Sequence, residues 1–391
     1  MARDSRLLAG LALALTVGLL AGGSASAAST GPLVEHFDGS SWTRVAVPGG
    51  GQLSAVTALS PKDVWTFGSF TSRSPFAEHW DGNSWTRMRL PVPAGAENVA
   101  LQNASADASD DLWLVGYWEG ITGPPLRSLV EHWDGNAWHI VSSATTPGYA
   151  TLGGVRALSP GNVWAVGAYG VAAGRRIALR TLVQHWNGKT WTRVASPDPA
   201  SPGSRGAKVD FSLTSVDGVS ADDVWAVGSY SYYAANGSHT THTLVLHWDG
   251  TAWTQIASPS PGGARHASYL YGVTAASSDN VWAVGRYGRR GKGLPLVEHW
   301  DGSGWQVVAS HGLPTTPDVQ LNAVASTANN DVWVAGTDYS EGPPSTLVEH
   351  WNGNALSRVQ SPNPPGADIA LTAISADSPN DVWAVGTPGF P

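Results

Sequence analysis

Histidine is the residue whose placement most invites a chemical reading. One precedes an aromatic residue at His36, His79, His132, His185, His247, His299 and His350, at intervals of 43 to 62 residues. Seven imidazoles make a metal centre only by converging on one ion at roughly 2.0–2.1 Å. Copies in equivalent places of separate units lie on a wide ring, and even neighbouring strands are about 4.8 Å apart. These histidines are therefore expected to be structural. His239, His242 and His266 fall outside the series, and the pair three apart lacks the helical context of a zinc motif, so no metal is assigned. The 391 residues hold no Cys, which removes disulfides, thiolate nucleophiles and iron–sulfur clusters. Nucleophile-elbow, phosphate-loop and dinucleotide fingerprints are absent, and no cofactor is expected. A glycosidase needs paired carboxylates. Outside the recurring Glu-His dipeptide the glutamates are Glu97, Glu119 and Glu341, assigned to different repeats.

A second group suits recognition better than bond-making. Between residues 175 and 290 the sequence gathers Arg180, Lys208, Asp210, His242, Tyr269 and Arg290 around the ligand-binding candidates. Those candidates are Arg175, Arg176, Arg205, Tyr232, Tyr233, His239, His266, Arg286, Tyr287 and Arg289. Aromatic rings suit sugar faces, and planar guanidinium groups suit carboxylates. Solvated loop residues are the alternative reading. The formal net charge of −8 gives no nucleic-acid footprint.

What must position these residues is a repeat. The phrase Asp63-Val64-Trp65-Thr66-Phe67-Gly68 returns in kind around Trp113, Trp164, Trp225, Trp282, Trp333 and Trp383, at intervals of 48 to 61 residues. Short runs rich in Val, Leu, Thr and Trp between turn residues signal strands. Each unit divides into strands A (the 53–58 type), B (64–68, ending at the Gly), C (129–133) and D (138–142). Asp-Gly or Asn-Gly joins C to D in all seven units and is expected to supply the positive φ angles of a tight turn. Four strands in about fifty residues make a propeller blade. The chain opens with C and D strands (33–47) and closes with A and B strands (371–386), so the two halves complete one blade. The expected fold is all-β: a seven-bladed β-propeller with four antiparallel strands per blade, closed by pairing of the two chain ends, which removes free edges. Residues 28–391 form this single domain, with blades near 53–90, 101–142, 152–196, 213–258, 270–309, 321–360, and 371–386 plus 33–47. Of 20 Trp, all but Trp118 fall in strands B, C or D and are expected in the core.

Val-Trp-Ala-Val-Gly, then Leu-Val-x-His-Trp-Asp-Gly-x-x-Trp-Thr and Ser-Pro, resembles the kelch repeat across residues 33–386, with one Gly at the end of strand B where kelch repeats have a pair. The hairpin is similar to a shortened Asp-box turn of sialidase propellers. The resemblance implies a propeller and no particular activity. Copper chemistry of the kind seen on the galactose-oxidase central domain needs a Tyr–Cys cross-link, which a Cys-free chain cannot form.

Spacing divides the two ends of the blades. The A–B and C–D connections have one length in every unit. The strand B Gly to strand C His interval runs from 11 to 19 residues, and the strand D position to the next strand A Leu from 11 to 22. Variable connections on a rigid scaffold are where binding sits. The longest, 196–211 and 229–243, carry many of the candidates. An aromatic two residues after the strand B Gly, at Phe70, Trp118, Tyr169, Tyr230 and Tyr287, forms either a ligand-facing arc or a packing collar. Arg156 and Asp217 share one strand A position in adjacent blades and are channel candidates, or a structural ion pair. Arg3 and Arg6 before the apolar run Leu7–Leu20, with Ala25-Ser26-Ala27 after it, mark residues 1–27 as a Sec-type signal peptide of a bacterial secreted protein. No later run is long enough for a membrane span. The expected function is an extracellular, non-catalytic module that binds a glycan or a protein. The alternatives are a carbohydrate-active hydrolase or lyase on the same face, or a cell-envelope scaffold.

Overall fold

A computed structural model describes residues 32–121, 126–173, 176–198, 208–233, 239–263, 266–289, 292–313, 318–363 and 368–388. The expected signal segment 1–27 lies outside them. The described residues form seven antiparallel sheets, each running D-C-B-A toward the axis. Strands A of successive blades are neighbours around that axis. In the blade that closes the ring, Leu33–Phe37 pairs with Asp381–Pro388, in register from Leu33 opposite Gly386 to Phe37 opposite Val382. Numbered along the chain, blade 1 begins at Gln52 and blade 7 joins the two ends. The sheet of blade 6 has a fifth strand, because Ser310–His311 adds in parallel outside Leu356–Val359.

Seven strand B tryptophans are the reason the blades stack. Trp113, Trp282, Trp333 and their equivalents are at most 2% exposed. Each packs across a seam, as Trp113 does against Trp186 and Trp191 of blade 3, at centroid separations of 5.0 and 5.3 Å. The recurring histidine completes the unit. His132 stacks on Trp113 at 4.2 Å, and its Nε2 lies 2.6 Å from Asp111, the residue that opens strand B. The same Asx–Trp–His clamp recurs in every blade, with Asn162 and Asn280 replacing Asp in blades 3 and 5. These imidazoles are thus committed to neighbours in their own blades.

The C–D turns work differently from the expected tight turn. Among the described residues only Gly has positive φ. The turn is held by the preceding Asx side chain: Asp81 Oδ1 accepts the N–H groups of Asn83 and Ser84 at 2.8 and 2.7 Å. All seven turns share this pattern. The Gly at φ near +90° presses against the A–B turn of its own blade; a Cβ on Gly135 would lie 2.9 Å from Asp110 Cβ. The fixed loop lengths at this edge follow from that contact.

Strand B does not end at its Gly. It runs on to Gly120, Ala173, Tyr233 and Arg289 in blades 2 to 5. The Gly instead faces a β-bulge in strand A, where a Cβ on Gly228 would lie 2.0 Å from the Ser212 carbonyl oxygen. A side chain would force the two strands apart.

Strand C also buries a carboxyl. Glu35, Glu78, Glu131, Glu298 and Glu349 are all 0% exposed, and blades 3 and 4 carry Gln184 and Leu246 in their place. Glu78 is bonded to Arg87 directly across on strand D, Nε to Oε1 at 2.7 Å. Glu131 faces Ile140 there, and both its carboxyl oxygens are buried without a hydrogen-bond partner. Burial pushes Glu131 up to about 8.

Candidate functional site

The structure converts much of the long 229–243 connection from loop into strand. Strand B of blade 4 spans Asp223–Tyr233 and strand C His239–Trp248. Alternating Tyr, Ser and Thr suit a pleated, half-buried surface, so the hairpin stays paired past the bulge to Tyr233 opposite His239. Tyr230 stacks on His242 at 5.3 Å, and Tyr232 meets both rings edge-on at 5.3 and 5.8 Å. Tyr233 stacks on His239 at 5.7 Å. Residues an odd number apart project to opposite faces of a strand. His239 and His242 therefore do not converge. Desolvation pushes Tyr232 up to about 12, raises Tyr230 and lowers His242. These groups are neutral hydrogen-bonding aromatics near pH 7, the chemistry of a recognition surface.

The seam between blades 3 and 4 adjoins this hairpin. Phe211 lies 6.1 Å from Tyr230, and the Arg180 guanidinium sits 5.9 Å from the Phe211 centroid while pairing with Asp198 at 3.4 Å. Phe211 and Asp198 were not among the sequence candidates. The Ser-Pro-Asp run at 196–198 was the available signal. Asp210 turns inward, its Oδ1 accepting the Leu179 N–H at 2.9 Å.

Other candidates lie elsewhere. Arg286 is at the seam of blades 5 and 6, where its Nη1 donates to Gln320 Oε1 at 3.3 Å. Tyr287 packs, half-buried, on the cluster around Trp225 and Trp305. The His266 backbone N–H closes a turn on Gly262 O at 3.1 Å. Arg175, Arg205 and Arg290 lie outside the described residues. Arg176 and Arg289 lie in strands, with side chains outside the description. On strand A the two channel candidates meet: Arg156 Nε is 2.9 Å from Asp217 Oδ1. Asp217 Oδ2 also accepts the Ala275 N–H of blade 5 at 2.8 Å. Ser105 and Ser375 make the matching bond to the next blade, so the pair belongs to an interblade latch.

The aromatic arc is largely a collar. Trp118, Tyr169, Tyr230 and Tyr287 pack on interblade clusters, while Phe70 is 52% exposed. The glutamates require a correction. Strand A of blade 2 begins at Ala96, well before Leu101, so Glu97 and Glu119 belong to adjacent strands of one blade. Glu97 is exposed and 4.0 Å from Arg73.

No family model matches the chain, and no curated protein matches it. Solved structures do. YCF48 from Cyanidioschyzon merolae is 15% identical with a TM-score of 0.51, covering 89% of this chain and 99% of that one. The SapL1 lectin in complex with alpha methyl fucoside is 15% identical with a TM-score of 0.47, covering 81% and 97%. YCF48 bound to D1 peptide is 15% identical with a TM-score of 0.49, covering 92% and 97%. At these identities the likeness is one of fold: the chain is a seven-bladed β-propeller.

Proposed function

We propose that the protein is an exported, non-catalytic binding module that recognises a glycan or a protein surface through its B–C/D–A edge. The observation that carries this reading is the blade 4 hairpin. It extends past the bulge at Gly228 and presents Tyr230, Tyr232 and His242 on one face and Tyr233 and His239 on the other. Among the described residues strand B of blades 1, 6 and 7 stops one or two residues after its Gly, so Tyr232, Tyr233, His239 and His242 lie beyond what the seven blades share, while Tyr230 also packs on the seam of blades 3 and 4. Amphipathic aromatics on paired strands offer contact area at low entropic cost.

The test is a glycan array that includes acidic polysaccharides, run beside capture of protein partners. The purified protein is compared with a Tyr232→Ala, Tyr233→Ala, His239→Ala variant. Selective binding lost in the variant supports the hairpin as the contact surface. Binding that survives the triple change moves the site off blade 4. Turnover of a bound glycan would overturn the non-catalytic reading.

A further inference from the structure

Trp118 is the one tryptophan that the repeat does not require. It follows Gly116 by two residues in strand B of blade 2 and pairs across the sheet with Arg127. The Arg127 guanidinium carbon lies 4.5 Å from the Trp118 ring centroid. The two help line a groove of about 380 Å³ on blade 2 that also touches Pro93, in the connection from blade 1. Ile140 and the hydroxyl run Ser142, Ser143, Thr145 and Thr146 line the rest.

The groove lies where blade 2 departs from its neighbours. In blades 3, 4 and 6 a strand C threonine clamps the chain that follows strand D. Thr181 N–H donates to Asp198 Oδ1 at 3.2 Å, Thr243 N–H to Ser260 Oγ at 3.1 Å and Thr346 N–H to Asn363 Oδ1 at 2.8 Å. Blades 1, 5 and 7 place Pro75, Pro295 and Pro32 at that position, which have no N–H to satisfy. Blade 2 alone has a serine. Ser128 Oγ bonds Ser143 Oγ at 2.7 Å, as the threonines of blades 3, 4 and 6 bond Ser196, Ser258 and Ser361, and Thr145 stands at the position of Asp198, Ser260 and Asn363. The hydroxyls of chain 142–146 line the groove together with the Trp–Arg pair.

We propose that this groove is a sugar subsite that takes one hexopyranose residue of a glycan. Its volume falls within the roughly 300–1,000 Å³ of small-ligand sites. Stacking on Trp118 orients the planar fork of Arg127 toward paired oxygens, whether vicinal hydroxyls or a uronate carboxylate. Ser142 and Thr145 are exposed in the lining and offer donor and acceptor hydroxyls. A peptide adding as a strand is a poorer fit, because strand D of blade 2 is only Trp138–Ile140. The inference rests on the protein being a binding module, and not on the blade 4 hairpin.

The experiment is saturation-transfer difference NMR on the intact protein with methyl glycosides of glucose, galactose, mannose, N-acetylglucosamine and glucuronic acid. Three variants are measured alongside. Ser142→Trp fills the groove from an exposed position, Arg127→Gln removes the guanidinium, and Tyr232→Ala touches only the hairpin; a thermal melt confirms that each is folded. The expected result is transfer to ring protons of at least one glycoside. It falls to the level of a non-binding control in Ser142→Trp and Arg127→Gln and is unchanged in Tyr232→Ala. Absence of transfer to every glycoside overturns the subsite, as does transfer that survives both groove variants. Loss confined to Tyr232→Ala places the sugar on blade 4, which overturns the subsite and leaves the proposed function standing.

Discussion

At the edge formed by A–B and C–D turns, blade 4 carries Asp223, Trp225 and His247, and blade 2 carries Asp111, Trp113 and His132 in the same arrangement. At the opposite edge the same two blades share little. Blade 4 raises a hairpin of Tyr and His, while blade 2 opens a groove beside Trp118. The first edge repeats because its recurring His and turn Asx groups have the same partners in every blade. Histidine is held by Asx, the Asx of the turn by two N–H groups, and glycine by the turn beneath it. The second edge departs from the repeat without breaking the blade, since its connections leave beyond the recurring seam contacts of the strand B tryptophans. A residue type that recurs seven times therefore reports on closure of the ring, and chemistry is to be sought where the recurrence fails.

The sharpest way to break this comparison is to truncate one aromatic at each edge. Trp282 is 1% exposed and packs on Trp351 of the next blade at 5.0 Å. Trp282→Ala is expected to cost about 3–5 kcal/mol through lost burial and the cavity left behind. Tyr232→Ala is expected to cost about 1 kcal/mol or less, as is usual for surface changes. Urea unfolding midpoints measure both. Equal losses would mean that the hairpin is part of the structural frame.

A second comparison sits within the repeat itself. Burial pushes Glu35, Glu131 and Glu298 up to about 8 and Glu349 up to about 7, from an ordinary value of 4.5. Between those values the folded protein holds protons that the unfolded chain releases. Stability is therefore fully present below pH 4.5, falls as pH rises through the window, and levels off above pH 8. Each such group contributes a slope of up to about 1.4 kcal/mol per pH unit. Gln184 fills the same position in blade 3, where its Oε1 accepts the Ala144 N–H at 2.9 Å. Glu131→Gln should shrink the stability lost between about pH 5 and pH 8 by roughly 1–3 kcal/mol. Glu78→Gln should instead destabilise, because Arg87 loses the carboxylate it holds. Thermal melts at the two pH values decide; a Glu131→Gln protein with the same pH dependence as the parent would remove this account.

The fold was legible because closure leaves its signature at both chain ends. Leu33–Phe37 and Asp381–Pro388 are incomplete separately and complete together. The sites were less legible. Asp-Gly spelled a turn, but whether the Asp backbone or its side chain did the work depended on the two N–H groups that follow. Tyr232 and His239 looked like loop residues because variable spacing was taken for irregular structure, whereas extra pairs of alternating residues simply lengthen a hairpin. Glu97 and Glu119 were separated because strand A of blade 2 starts five residues before the leucine that marks the repeat. The buried carboxyls gave no sign, since Glu before His reads as surface charge until its strand is placed against the preceding blade.

The finest test of the two edges uses a pair of glycines under the same backbone demand. Gly135 lies in the blade 2 C–D turn at φ +86°, and Gly95 in the connection from blade 1 to blade 2 at φ +79°. Alanine at either position must adopt a left-handed conformation, at a cost of about 1 kcal/mol. Beyond that the two differ. A Cβ at Gly135 meets Asp110 Cβ at 2.9 Å, while a Cβ at Gly95 meets nothing within 4 Å. Gly135→Ala must therefore also shift the A–B turn, and it should exceed Gly95→Ala by about 1 kcal/mol in urea unfolding. Equal costs would show that only φ strain matters and that the turn-on-turn contact is slack. In that case the constant loop lengths of that edge would need a cause other than packing.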